Sequence, residues 1–154
     1  MAGISITRET PGARKTLGKT FITALLLTGS ARRAEAAILE AIEVMEEGKV
    51  PDDALLHGIV AASIASRTPD ARIDEEDHAS SLLPVELRLV LRLPVDLRRC
   101  FVLRMLAGFS IGTCARMLQT EIHQVEELVC VSVRALASLS EHGASLIRTF
   151  EVVR

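Results

Sequence analysis

The feature that most constrains the fold is the spacing of the apolar residues, which recur every three or four positions along most of the chain. This period matches the turn of an α-helix, and no segment shows the strict alternation that is typical of a half-buried strand. We therefore predict an all-α fold. The clearest stripe consists of Ala34, Ala37, Ile38, Ala41, Ile42 and Met45.

The composition supports this prediction. Hydrophobic residues make up 49% of the chain and charged residues 25%, which is typical of a folded domain and not of a disordered chain. Only four Phe are present, with no Trp and no Tyr, so the core has to be built from aliphatic side chains. Sandwiches and barrels usually draw on aromatic residues. The missing Trp and Tyr also argue against base stacking on aromatic side chains.

Turn residues and polar stretches divide the chain into two halves. A first helix is predicted from Lys15 to about Leu27, followed by a break at residues 28–30 with Ser30 as the N-cap of the next helix. The polar, acidic stretch 68–81 is typical of a linker. We therefore predict two small helical domains, 15–67 and 82–140, joined by the linker 68–81.

The second half begins with a short repeat in which Pro84 and Pro94 each open a helix as its first residue. Gly108 is predicted to end the second of these helices. Ser110 then caps a helix that runs to about Leu118, and Thr120 is predicted to cap the last long helix. Two successive helices joined by a tight turn are typical of a helix-turn-helix.

Several classes of function are excluded by what the sequence lacks. The three Cys and four His show no metal-binding spacing, and no nucleophile motif or glycine-rich phosphate loop is present. The apolar run at residues 21–27 is too short for a membrane span and continues into a helix, so it is not interpreted as a signal peptide. We expect a cytoplasmic protein with buried free thiols, without catalytic residues, metal or cofactor and without a membrane contact.

The stretch from Leu93 to Leu136 resembles region 4 of the sigma-70 family, especially the extracytoplasmic-function type of RNA polymerase sigma factor. The matching residues are Leu93, Pro94, Arg98 or Arg99, Phe101, Leu103, Arg104, Leu106, Gly108, Ser110, Ala115, Leu118, Val125, Ala135 and Leu136. A weaker resemblance to region 2 is carried by Leu27-Thr28-Gly29, Ala34-Glu35 and Glu40.

The resemblance implies a bacterial transcription initiation factor with a C-terminal helix-turn-helix of the winged-helix-like class. Its partners would be RNA polymerase core and promoter DNA, with the last long helix in the major groove. The candidate DNA-binding residues are Ser110, Thr120, His123, Gln124, Arg134 and Arg104. The Arg series at positions 88, 92, 98, 99 and 104 is either a phosphate-facing surface or a solvated helical face.

The predicted recognition helix departs from the family at its contact positions. Glu126 and Glu127 stand where a Lys and a small polar residue are expected, and carboxylates oppose contact with phosphates. A second hypothesis is therefore a sigma-like protein that acts by protein contact, with an anti-sigma-type regulator or with a second copy of itself. Its candidate partner-binding residues are Leu128, Val131 and Val133, which would form one apolar helix face.

Overall fold

The computed structural model describes residues 11–44, 52–65 and 81–151, and its side chains are described at 18–44, 53–65 and 81–142. Within these ranges all the regular structure is helical, which confirms the all-α prediction. The helices are α1 (Pro11–Thr28), α2 (Ala31–Val44), α3 (Asp52–Ala65), α4 (Val85–Leu91), α5 (Val95–Phe101), α6 (Ile111–Leu118) and α7 (Ile122–Glu151), with a π-helical segment (Val102–Leu106) directly after α5.

Helix α1 is the central element, because almost every side chain over its last turns is buried. A helix buried on all sides has to satisfy its polar groups internally. The hydroxyl of Thr23 donates to the carbonyl of Lys19 at 2.9 Å, and the hydroxyl of Thr28 donates to that of Ala24 at 2.8 Å. These bonds allow threonines to lie in the core of an aliphatic bundle.

Helices α2 and α3 pack against α1 and against each other. The predicted stripe of α2 is confirmed at Ala34, Ala37, Ile38 and Ala41, which are buried. The prediction was wrong at Ile42, which is 49% exposed because it lies at the edge of the helix face that meets α1 and α3. Met45 lies outside the described residues.

The two helices of the repeat, α4 and α5, each begin one residue later than predicted. Pro84 and Pro94 have extended ψ angles of 150° and 148° and occupy the N-cap positions, so the helices begin at Val85 and Val95. After α5 the backbone widens into the π-helical segment, where the amide of Ala107 donates to the carbonyl of Val102 at 2.8 Å. Gly108, with a φ of 79°, then turns the chain, as expected of it.

The two halves of the chain share one hydrophobic cluster. Buried residues of α1 to α3 and buried residues of α4 to α7 belong to it together, and α1 contacts α4, α5 and the π-helical segment. Polar contacts join the same halves, since Nη2 of Arg99 donates to the carbonyl of Ile64 at 3.5 Å. The predicted linker lies outside the described residues except for Ser81, and the division into two domains stays a prediction.

Candidate interaction site on the α6–α7 pair

The start of α6 is fixed by Ser110. Its extended backbone places the hydroxyl oxygen where it accepts from the amide of Thr113 at 3.2 Å, which confirms the predicted N-cap. The two hydroxyls of Ser110 and Thr113 are also hydrogen-bonded to each other at 2.9 Å, and Nη2 of Arg116 donates to Thr113 at 3.4 Å. Ser110 is exposed, so this polar group lies at the surface.

A three-residue connection, 119–121, joins α6 to α7. Gln119 ends α6 in the left-handed conformation, with φ 54° and ψ 46°, and its amide donates to the carbonyl of Arg116. Glycine is the usual residue at such a helix end, because a side chain with Cβ is strained there. The connection therefore has the geometry of a tight turn, but it lacks the glycine that adopts this conformation without strain.

The start of α7 differs by one residue from the prediction. The carbonyl of Glu121 accepts from the amide of Val125 at 3.2 Å, so Glu121 is the N-cap residue and Thr120 precedes it. Gln124 reaches back and its Oε1 accepts from the hydroxyl of Thr120 and from the amide of Glu121, the latter at 3.5 Å. This is the backward half of a capping box. Thr120 and Gln124 therefore stabilise the helix start.

A shallow concavity of about 760 Å³ lies between α6 and the start of α7. Apolar atoms form more of its surface than polar atoms do, but polar side chains also line it, among them one cation, Arg116, and one carboxylate, Glu121. Three of the predicted DNA-binding residues, Ser110, Thr120 and Gln124, line it together. The structure thus brings these three into one surface.

The exposed charged side chains of α7 and its N-cap are mostly acidic over residues 121–134. His123, Glu126, Glu127 and Arg134 are all exposed, as is Glu121 at the N-cap. Over residues 121–134 the three carboxylates oppose the single cation Arg134, which gives a formal net charge of −2 when His is neutral. A helix that reads DNA normally presents Lys or Arg to the phosphates.

The predicted apolar face of α7 does not exist as one surface. Leu128 is half-buried and lines a groove of about 330 Å³ with α5 residues Asp96, Arg99 and Cys100. Val131 and Val133 are 41% and 45% exposed. Two positions along a helix correspond to more than half a turn, so these two side chains leave opposite sides of α7.

The arginines after the second proline are largely engaged with the backbone. Nη1 of Arg104 donates to the carbonyl of Phe109 at 3.2 Å, so this predicted DNA-binding residue holds the loop before α6. Arg98 is only 8% exposed, and its Nη1 donates to the carbonyl of Leu91 at 3.2 Å. Burial, followed by the neighbouring charge of Arg99, lowers the pKa of Arg98. The arginine series was interpreted either as a phosphate-facing surface or as a solvated helical face. Both interpretations are wrong at Arg98, because its guanidinium is buried.

The cysteines divide into two buried thiols and one exposed thiol. Burial, with smaller contributions from Cys114 and Asp96, raises the pKa of Cys100 to about 11, and burial also raises the pKa of Cys114. Cys130 is exposed on α7, which corrects the expectation that all three thiols are buried. The periodicity of α7 could have predicted this exposure. Cys130 lies five positions after the buried Val125, and the residues that share its face are three or four positions apart.

Comparisons with models of protein families, with curated proteins and with solved structures gave no match. In the described part of the chain, no three His, Cys, Asp or Glu side chains are grouped so that they could hold a metal ion. None of the helices described there combines the length and hydropathy that crossing a membrane requires.

Proposed function

We propose that this chain is a sigma-factor-like transcription regulator that acts through contact with another protein, and that α7 does not read promoter DNA. The observation that carries the proposal is the excess of carboxylates among the exposed charged side chains of residues 121–134. Glu121, Glu126 and Glu127 are exposed together, and Arg134 is the one exposed arginine among residues 121–134. Carboxylates at a phosphate surface lower the affinity for DNA, whereas a protein surface that places a cation opposite a carboxylate would be attracted.

The side chains near this face support the same proposal. Gln124, one of the candidate DNA-binding residues, has its Oε1 engaged with Thr120 and Glu121 at the helix start. Arg104, which the resemblance assigns to DNA, is hydrogen-bonded to the loop before α6. The side chains of Gln124 and Arg104 thus stabilise the helix start and the loop within the chain. These two positions, which the resemblance assigns to DNA contact, are therefore occupied with hydrogen bonds inside the protein.

A second candidate, promoter binding through α6, is favoured by the hydroxyls and the guanidinium that line the concavity. Ser110, Thr113 and Arg116 present two hydroxyls and a guanidinium at the start of α6, where a helix N-terminus attracts anions. A DNA phosphate is the kind of group that such a surface binds. This candidate depends on contact with the DNA backbone and requires no base reading by α7.

A titration of the full chain against duplex DNA over a series of salt concentrations tests both candidates. If the chain acts through protein contact, we expect it to bind DNA weakly, with an affinity that does not fall as the salt concentration rises. Salt-dependent binding that is lost in Arg116→Ala would support the second candidate. Salt-dependent binding that is lost in Arg134→Ala, and kept in Arg116→Ala, would overturn the proposal, because α7 would then be the element that meets the phosphates.

A further inference from the structure

We propose that the outer face of α7 binds a second copy of this chain, as an antiparallel helix pair around a two-fold axis that passes between Cys130 and Val131. The inference rests on the proposed function and specifies its partner. Four exposed residues define this face, which we call the dimer face: Glu127, Cys130, Val131 and Arg134.

The spacing of the four residues is symmetric along the helix. Glu127 and Arg134 are seven positions apart, which is close to two turns, so they lie on one line along α7. Cys130 is three positions after Glu127 and Val131 is three positions before Arg134, so these two flank the line on opposite sides. The buried residues Val125 and Ser132 mark the other side of the helix, which faces the core.

The charges of this face complement themselves. In an antiparallel pair centred between Cys130 and Val131, Glu127 of one copy lies opposite Arg134 of the other, because both are equally far from the axis. The two-fold symmetry repeats this pair, so both carboxylates and both guanidiniums find partners. Within one copy the two residues are about two turns apart, roughly 10 Å along the axis, which is too far for an ion pair.

The apolar side chains meet at the centre of the same arrangement. The axis brings Val131 against its copy on one side and Cys130 against its copy on the other. Packed helices whose axes are about 8–10 Å apart place the two Cys130 Cα atoms roughly 6 Å from each other, which lies within the range of disulfides. Val131 is 41% exposed in the single chain, so the pairing covers an apolar side chain that is otherwise in water.

A contact between two single helices covers less surface than a stable dimer usually needs, so the association is weak and reversible. We expect the dissociation constant of the dimer to depend on the charges of Glu127 and Arg134. We expect Glu127→Arg and Arg134→Glu each to raise the dissociation constant roughly tenfold, because each places like charges opposite each other. The double variant carrying both changes restores opposite charges and restores the dimer.

Sedimentation velocity over a concentration series measures this association, with Glu126→Arg as the matched control. Glu126 is exposed next to Glu127 but about a quarter of a turn off the line, so the same change of charge there leaves the dimer intact. Circular dichroism checks that each variant is folded. A double variant that associates no better than either single one would overturn the charge pairing.

Oxidation provides an independent test. Copper phenanthroline accepts two electrons as two Cys130 thiols lose two protons and join their Sγ atoms, and we expect a covalent dimer that is absent in Cys130→Ser and slow in Glu127→Arg. A wild-type chain that sediments as a monomer at every attainable concentration, and forms no Cys130 cross-link, overturns the dimer. That result leaves standing the proposal that α7 does not read promoter DNA, since the DNA titration tests it separately.

Discussion

The guanidinium of Arg98 lies directly over the backbone of Gly29, and a Cβ added to Gly29 would be 3.5 Å from Nη2 of Arg98. Gly29 follows the last residue of α1, and Arg98 belongs to α5, so this contact joins the two halves of the chain. The charge lies near the carbonyl ends of two helices, α1 and α4, whose dipoles favour a cation. Its Nε is buried and has no hydrogen-bond partner among the described residues.

Arg98→Ala is expected to lower the free energy of unfolding by about 2–4 kcal/mol, because it opens a cavity and leaves the carbonyl of Leu91 without its partner. Arg98→Met keeps most of the volume without burying a charge, so its loss is expected to be smaller by about 1–2 kcal/mol. Urea unfolding followed by circular dichroism measures both variants.

Arg92→Ala is the control for Arg98, since Arg92 is an exposed arginine at the C-cap of α4. It is expected to change stability by less than about 0.5 kcal/mol. Equal losses for the Ala and Met variants of Arg98 would show that the positive charge between the two helix ends, and not the packing volume, stabilises this contact.

Replacement by alanine is expected to have opposite effects on stability at two glycines, one within α1 and one directly after it. Gly29 has a φ of 71°, so Gly29→Ala is expected to cost about 1 kcal/mol through backbone strain. Gly18 lies within α1 with nothing near an added Cβ, so Gly18→Ala is expected to stabilise by about 0.5–1 kcal/mol. Thermal and urea unfolding of the two variants measure the difference, and a shift of the same sign in both would contradict this account.

The elements that depend on local signals were predictable from the sequence. Ser110 caps α6, Gly108 turns the chain and the break after α1 lies at Gly29, because each of these depends on the conformational preference of one residue. The start of α7 was missed by one residue, because Thr120 and Glu121 both suit a helix start and only the reach of Gln124 separates them.

The features that depend on long-range packing were not predictable. Arg98 is buried because α1 and α4 end beside it, and no local pattern encodes the meeting of two helix ends. The π-helical segment likewise widens the backbone at apolar residues that would suit an α-helix equally well. In the candidate site, the sequence predicted an apolar face on α7, whereas the geometry separates Val131 from Val133 and half-buries Leu128.

The turn between α6 and α7 stores strain that a single substitution should release. Gln119 has a φ of 54°, where a residue without Cβ is favoured. Gln119→Gly is expected to raise the free energy of unfolding by about 0.5–1 kcal/mol. Gln119→Ala keeps the Cβ and serves as the control, with a change of less than about 0.5 kcal/mol. Urea unfolding of both variants checks this, and a destabilised Gly variant would show that the Gln side chain contributes more than the strain costs.

Because two thiols are buried, we expect the free energy of unfolding to fall at alkaline pH. The pKa of Cys100 is raised from an ordinary value near 9 to about 11, so the folded chain holds this proton to a higher pH than the unfolded chain does. The stabilising contribution is complete below about pH 9 and is lost as the pH rises through about 11, by up to roughly 3 kcal/mol. Because the chain contains no Tyr, no phenol ionises in this range.

Urea unfolding between pH 8 and about pH 11, in wild type and Cys100→Ala, measures this dependence. The variant is expected to start at a lower stability, because a buried side chain is shortened, and to lose less with rising pH. Part of the slope remains, since burial also raises the pKa of Cys114. A slope as steep in Cys100→Ala as in wild type would assign the alkaline loss to other groups and contradict a thiol that is kept protonated by the core.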